Sequence, residues 1–240
     1  MSMIDLKVFD RDGGEKSLQF RCQRMYNAAF AGRDEALVRH HIEEISALGI
    51  PPPLSFPLVE NLSPHLLSTS DELGIYAPSL AEDTTNGEIE YVLIWHQGEV
   101  LISVGSDHCD LWLEQHDLQR SKNVAPNFIS ANVWRYLDVK DHFDALVLEC
   151  DVRIDGAWQL AQSAACGTLL EPDFWIRIVE SQLDDPEGTV LFSGTIASID
   201  GIKKGDAYRI RLTDPVLLRL ISHEYACHSM LHLTLSGASH

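Results

Sequence analysis

The stretch from Gly87 to Asp107 constrains the fold more than any other part of the chain. Two apolar runs, the first Tyr91-Val92-Leu93-Ile94-Trp95 and the second beginning at Val100, flank the dipeptide Gln97-Gly98. Runs this short and this rich in β-branched and aromatic residues read as strands, and a two-residue turn between them makes a hairpin. A turn centred on Gln97-Gly98 pairs Ile94 with Leu101, Val92 with Ser103 and Glu88 with Asp107. Side chains alternate along a strand, so Glu88 and Glu90 share a face. Three carboxylates then meet at the open end of the hairpin. Opposed side chains lie about 5 Å apart, and like charges that close need a proton or a cation between them. A hard divalent ion, Mg2+ or Mn2+, is the natural partner for such oxygens. A one-residue slip in register would destroy the arrangement and leave the other reading, a solvated strand end with scattered acids.

The rest of the chain is also strand-rich. Residues 4–9 and 17–22 flank Asp12-Gly13-Gly14 and read as a small β element over residues 1–25, followed by a main domain over 26–240. Residues 145–160 form a second hairpin around Asp155-Gly156, a type I′ signal. Residues 189–193, 207–212 and 216–226 are further strands, although 217–221 could equally be helical by composition. One helix, 171–183, interrupts the second half, with Pro172 in its first turn. The fold class expected is α+β with few helices.

An earlier helix over 34–48 ends at Gly49 and the prolines 51–53. Val38, Ile42, Ile45 and Leu48 set its apolar arc, His41 lies within that arc, and Glu44 stands at its edge. The i, i+3 spacing lets the carboxylate orient the imidazole and raise its basicity. A buried, hydrogen-bonded core histidine is the alternative.

These motifs occur in an order that resembles the fumarylacetoacetate hydrolase family, from about Tyr26 to Ala226. Tyr26-Asn27 and His41-x-x-Glu44 are similar to its Asn-Tyr and His-x-x-Glu segments, Glu88-Ile89-Glu90-Tyr91-Val92 to its E-x-E-L-A-V strand, and Val104-Gly105-Ser106-Asp107 to its V-x-N-D. Gly188 to Ile196, then Gly205-Asp206, resembles its G-D-V-I-x-T-G-T-P and G-D segments. The resemblance implies a fumarylacetoacetate hydrolase-like mixed β-sandwich or roll. It implies one Mg2+ or Mn2+ on Glu88, Glu90 and Asp107, catalysis by His41, Glu44 and Lys122, and substrate binding by Thr195 and Gly194. The implied substrate is a small 2-oxo acid of the acylpyruvate type. Its reaction would pass through a cation-stabilised enolate to hydrolysis of a C–C bond. Hydration, decarboxylation or tautomerisation on the same scaffold, or a non-catalytic metal-binding role, are the alternatives. The resemblance also implies a homodimer. The chain departs from the family where Asp107-His108-Cys109-Asp110-Leu111-Trp112 lacks the arginine and second aspartate of D-x-x-x-R-D. Residues 54–61 lack the lysine of F-x-K-P, and Ile196 replaces the proline of T-G-T-P.

Composition excludes other classes. The 36 acidic residues against 18 basic repel phosphate backbones and anionic lipid, so neither nucleic acid nor membrane is an expected partner. Five cysteines with no C-x-x-C pair suit a reduced, cytoplasmic protein. His223, Cys227, His228 and His232 do not form H-E-x-x-H, and on a strand they would not converge on zinc. The chain has no G-x-S-x-G, P-loop or G-x-G-x-x-G motif. Cys109, opposite in facing to its neighbour His108, reads as structural.

Overall fold

The computed structural model describes residues 3–47, 52–53, 55–77 and 82–230, without the side chains of His41, Glu44, Ile45 and Ala47. In chain order the strands are β1 (Met3–Phe9), β2 (Glu15–Arg21), β3 (Arg24–Ala29), β4 (Leu58–Leu62), β5 (Leu67–Ser68), β6 (Glu72–Ile75), β7 (Thr85–His96) and β8 (Glu99–Asp110). They continue with β9 (Asn127–Ile129), β10 (Asn132–Arg135), β11 (Val147–Ile154), β12 (Ala157–Ala165), β13 (Thr189–Phe192), β14 (Ala207–Asp214) and β15 (Arg219–Ser229). The helices are α1 (Glu35–Ala47), α2 (Leu111–Glu114), α3 (Leu118–Ser121), α4 (Tyr136–Val139) and α5 (Pro172–Gln182).

A ten-stranded sheet runs in the order β2-β1-β10-β8-β7-β13-β3-β4, with β9 hydrogen-bonded to β8 and β5 to β9; a second sheet has the order β12-β11-β14-β15-β6. The N-terminal hairpin extends the larger sheet, because β1 runs parallel to β10 with Lys7 opposite Asn132. Alternation along β7 and β8 serves two cores. Ile89, Tyr91, Leu93, Ile102 and Val104 face the smaller sheet, where Tyr208 and Tyr225 join them. Val92, Ile94 and Leu101 face the other way and pack with Ile4, Leu6, Met25, Leu67, Ile129 and Phe192. Phe128 and Tyr225 stack with centroids 4.1 Å apart and fix the spacing of the sheets at the hairpin's open end.

The strand-rich class read from the sequence is the observed one. The helix expected over 34–48 is α1, capped where Asp34 Oδ1 accepts from the backbone N–H groups of Ala36 (2.9 Å) and Leu37 (3.3 Å). Leu48 lies outside the described residues. Two details differ. The second half holds α4 and a 3-10 segment over Lys140–Ala145 besides α5, and α2 and α3 stand just before it. Helices of one turn carry no apolar period to read; α2 and α3 are set instead by the side chains of Asp110 and Asp117, which accept from their first N–H groups. Residues 217–221 are not helical: a turn ends at Leu218, φ +52°, and β15 begins at Arg219.

That last turn is organised by Asp214, whose buried carboxylate accepts from His142 Nε2 (3.0 Å), Arg219 Nε (3.1 Å) and the N–H groups of Val216 and Leu217 (3.0 Å each). Burial pushes this carboxyl up, but the Leu217 N–H, His142 and Arg219 together outweigh it and hold the group below its ordinary range. A depressed folded value stabilises the fold above the unfolded value of about 3.9 and is lost as pH falls through the folded one. Asp214→Asn should therefore destabilise the protein by about 2 kcal/mol at neutral pH. In urea titrations the gap from wild type should be present above pH 5 and close below pH 4.

Candidate metal centre

The register of β7 and β8 builds the site. Ile94 pairs with Leu101, Val92 with Ser103 and Glu88 with Asp107, as a turn at Gln97-Gly98 requires. Both turn residues have positive φ, +52° and +76°, the signature of a two-residue hairpin loop twisted like its strands. The next strand continues the rung, because Asp107 of β8 lies opposite Asn127 of β9. Three adjacent strands thus present Glu88, Asp107 and Asn127 side by side on the face that also carries the second core.

The rungs above and below shape this row. Glu90 lies opposite Gly105; a Cβ there would come within 2.7 Å of Val92, Phe192 and the Phe128 carbonyl oxygen, so only glycine fits. On the other side, Asn86 pairs with Cys109. The intervening residues face the smaller sheet. There His108 contacts Thr85 Oγ1 through Nε2 (2.8 Å) and Tyr225 OH through Nδ1 (3.1 Å), and burial lowers its pKa to about 3.

Lys122 reaches over the rung from the end of α3. Its Nζ donates to Glu88 Oε2 at 2.8 Å and lies 2.6 Å from Asp107 Oδ2, with the lysine and Asp107 both buried and Glu88 partly open to solvent. Burial opposes its charge, but Asp107, Cys109, Glu88 and Glu114 together raise the ammonium's pKa well above the ordinary value. Asp107 is pushed up to about 6 by burial, with Lys122 pulling against it. Glu90 is raised further, by burial and then by the neighbouring Asp107. One ammonium stands against three carboxylates here, and Asp107 Oδ1 is buried with no partner among the described residues. A second cation fits that deficit.

Glu88, Asp107 and Cys109 are possible metal ligands whose ligand atoms lie within 4.8 Å of one another. Cys109, read from sequence as structural, therefore borders the site. Its thiol is pushed up by burial and by Glu88. Glu90 is held from the far side. Its Oε1 accepts from Asn27 Nδ2 at 3.0 Å and its Oε2 from the Gly194 N–H at 2.7 Å. Gly194, expected as a substrate contact, thus orients Glu90, and its φ of +84° beside the Ala28 carbonyl requires glycine. Thr195 Oγ1 donates to the Ile89 carbonyl (2.9 Å) and accepts from Gln162 Nε2 (2.9 Å). Gln162 also accepts from the Ile89 N–H at 3.2 Å. Sequence reasoning overlooked Gln162, Asn127 and the half-buried Glu114, whose carboxyl is raised by burial beside this cluster. None of the three lies in a recognisable motif; only strand pairing could have found Asn127. The side chains of His41 and Glu44 lie outside the described residues, so only their place on α1 is defined. Of the suggested zinc group, His232 also lies outside them, while His223 Nε2 donates to the Ser70 carbonyl at 2.9 Å.

The profile of a family described as "Protein of unknown function (DUF2848)" matches residues 28–225. No curated protein matches the sequence significantly. Solved structures do match the fold. The crystal structure of Cg1458 is 16% identical with a TM-score of 0.60, the match covering 90% of this chain and 83% of that one. A 2-keto-3-deoxyarabinonate dehydratase is 14% identical with a TM-score of 0.65, covering 87% and 75%. A 2-keto-3-deoxy-D-arabinonate dehydratase in complex with magnesium and 2,5-dioxopentanoate is 14% identical with a TM-score of 0.62, covering 86% and 73%. The expected fumarylacetoacetate hydrolase-type fold is the fold of this chain.

Removing the resident ammonium leaves Glu88 and Asp107 opposed without it. Lys122→Met should lower stability in the presence of a chelator by about 3 kcal/mol, read from the urea midpoint. An unchanged midpoint would mean that Lys122 does not neutralise the rung.

Proposed function

Because the chain belongs to the DUF2848 family and carries the fumarylacetoacetate hydrolase-type fold, we propose that it is a divalent-cation-dependent enzyme acting on a small 2-oxo acid. The observation that carries this reading is the rung Glu88–Asp107 at the edge of the core, with the buried Glu90 beside it, one lysine against three carboxylates and an unpartnered Asp107 oxygen. Glu88, Glu90 and Asp107 are hard oxygen donors of the kind Mg2+ or Mn2+ takes. When bound, such a cation supplies Lewis-acid polarisation of a 2-oxo group.

The chain's own groups supply the rest. Asn27 and the Gly194 N–H fix both oxygens of Glu90, so this carboxylate does not rotate when a ligand enters. Lys122 presents a second positive charge at the open edge marked by Glu88, where charge developing on a substrate oxygen is stabilised. Gln162 locks Thr195 and Ile196 to the Ile89 backbone, which holds the turn carrying Gly194 rigid. His41 on α1 takes the proton from the water that attacks the acyl carbon of an acylpyruvate and, as the C–C bond breaks to a carboxylic acid and the pyruvate enolate, returns that proton to the enolate carbon. Dehydration of a 3-deoxy-2-oxo acid is the second reading. It uses the same polarised 2-oxo group and is supported by the fold's likeness to the dehydratase solved with magnesium and 2,5-dioxopentanoate. A homodimer in the cytoplasm belongs to the same reading. No helix among the described residues is long and apolar enough to cross a membrane.

Calorimetric titration with Mg2+ and Mn2+ tests the centre first. Glu88→Gln and Asp107→Asn should each weaken cation binding by more than the roughly 10–100-fold typical of an outer-shell change. Turnover of an acylpyruvate, oxaloacetate and a 3-deoxy-2-oxo acid should then depend on the cation and vanish in His41→Ala. Cation binding without turnover of any of them would favour a non-catalytic scaffold, and no cation binding by the wild type would sink the proposal.

A further inference from the structure

Asn127 is fully buried, and neither its Nδ2 nor its Oδ1 has a partner among the described residues. Leaving a buried polar group unmade costs about 1–3 kcal/mol, and native proteins keep few such groups. An aliphatic residue would suit this position better as packing: Leu67 of β5 lies opposite Asn127, and Ile129 follows on the same face. The carboxamide therefore needs a partner that the described residues do not provide.

Its place says what that partner is. Asn127 lies directly opposite Asp107, which lies directly opposite Glu88, and side chains opposed across a ladder stand on one face about 5 Å apart. The group is thus the last polar residue on the rung that Lys122 crosses, before Leu67 of β5. Glu88 and Asp107 only accept when ionised, so Asn127 Nδ2 is the one neutral side-chain donor on that rung. An anionic oxygen brought there meets Lys122 and Asn127. Asn27 differs, since its Nδ2 is already committed to Glu90.

Resting on the function proposed above, we infer that Asn127 is a specificity-determining residue whose Nδ2 donates to a carboxylate oxygen of the bound 2-oxo acid. It contacts the anionic end of the ligand and is not a ligand of the cation.

The test uses oxalate, a dianion with the adjacent oxygens of a 2-oxo acid, titrated calorimetrically into the Mn2+-loaded protein. Asn127→Leu, close in volume and apolar, should keep Mn2+ affinity within about threefold of wild type. It should weaken oxalate by about 10–100-fold, the range of a lost hydrogen bond to a charged group. Asn127→Asp, which places a negative charge there, should weaken oxalate further while binding Mn2+ at least as well. A direct readout is on the wild type: in 15N-labelled protein loaded with Mg2+, the Asn127 side-chain amide resonances, assigned by their loss in Asn127→Asp, should shift on adding oxalate. Unchanged oxalate affinity in Asn127→Leu, or an unmoved amide signal, overturns the inference and leaves the metal centre intact. Equal weakening of Mn2+ and oxalate overturns it in favour of a cation ligand. A wild type that binds Mn2+ but not oxalate overturns it as well. A wild type that binds no Mn2+ overturns the function itself.

Discussion

The structure depends on the register of one hairpin. Twelve consecutive pairs join β7 to β8, and the side-chain period of two assigns every residue of both strands to one of two faces. One face fills the space between the sheets with Ile89, Tyr91, Leu93, Ile102 and Val104. The other fills the second core with Val92, Ile94 and Leu101, and at the open end it carries Glu88, Glu90, Asp107 and Cys109. A slip of one residue would exchange the carboxylates for His108, Ser106 and Ile89 and place charge against Tyr225. The apolar demand of two cores thus fixes the position of the acids.

Holding three carboxylates on a mostly buried face runs against the usual preference for water. The desolvation cost of such charges reaches several kcal/mol per ion even after relaxation, and a single ammonium offsets only part of it. The raised values of Glu90 and Asp107 and the much raised value of Lys122 express one imbalance, seen from its acidic and basic sides. A fold selected for stability alone would place aliphatic residues here, as it does on the same face at Ile129 and Val92. The charge imbalance is concentrated where strands β7, β8 and β9 meet and where α3 brings Lys122.

Around this junction the supporting contacts are local and rigid. Gln162 reaches from β12 of the smaller sheet to the Ile89 backbone and to Thr195, tying the two sheets together beside the carboxylates. Asn27 reaches from β3 across β13 to Glu90. Glycines at 105 and 194 let backbone approach where a Cβ would clash. These residues do not resemble a motif individually; they act because distant strands are neighbours in the sheet.

The sequence by itself determined the hairpin, its turn, the pairing of Glu88 with Asp107, the helix that carries His41 and Glu44, and the strand-rich class. All of these follow from periodicity and turn chemistry acting over a few residues. It also placed Lys122 near the acids by family order, without foreseeing that the lysine would pair with Glu88 and Asp107 directly. Only the tertiary structure decided that Gly194 and Asn27 orient Glu90, that Thr195 is committed to the backbone, and that Cys109 borders the carboxylates. It alone set Asn127 beside Asp107, because β9 joins β8 through long-range hydrogen bonding that no local pattern encodes. A strand's alternation fixes which side chains share a face, whereas which strand lies next to it is settled by the packing of the whole sheet.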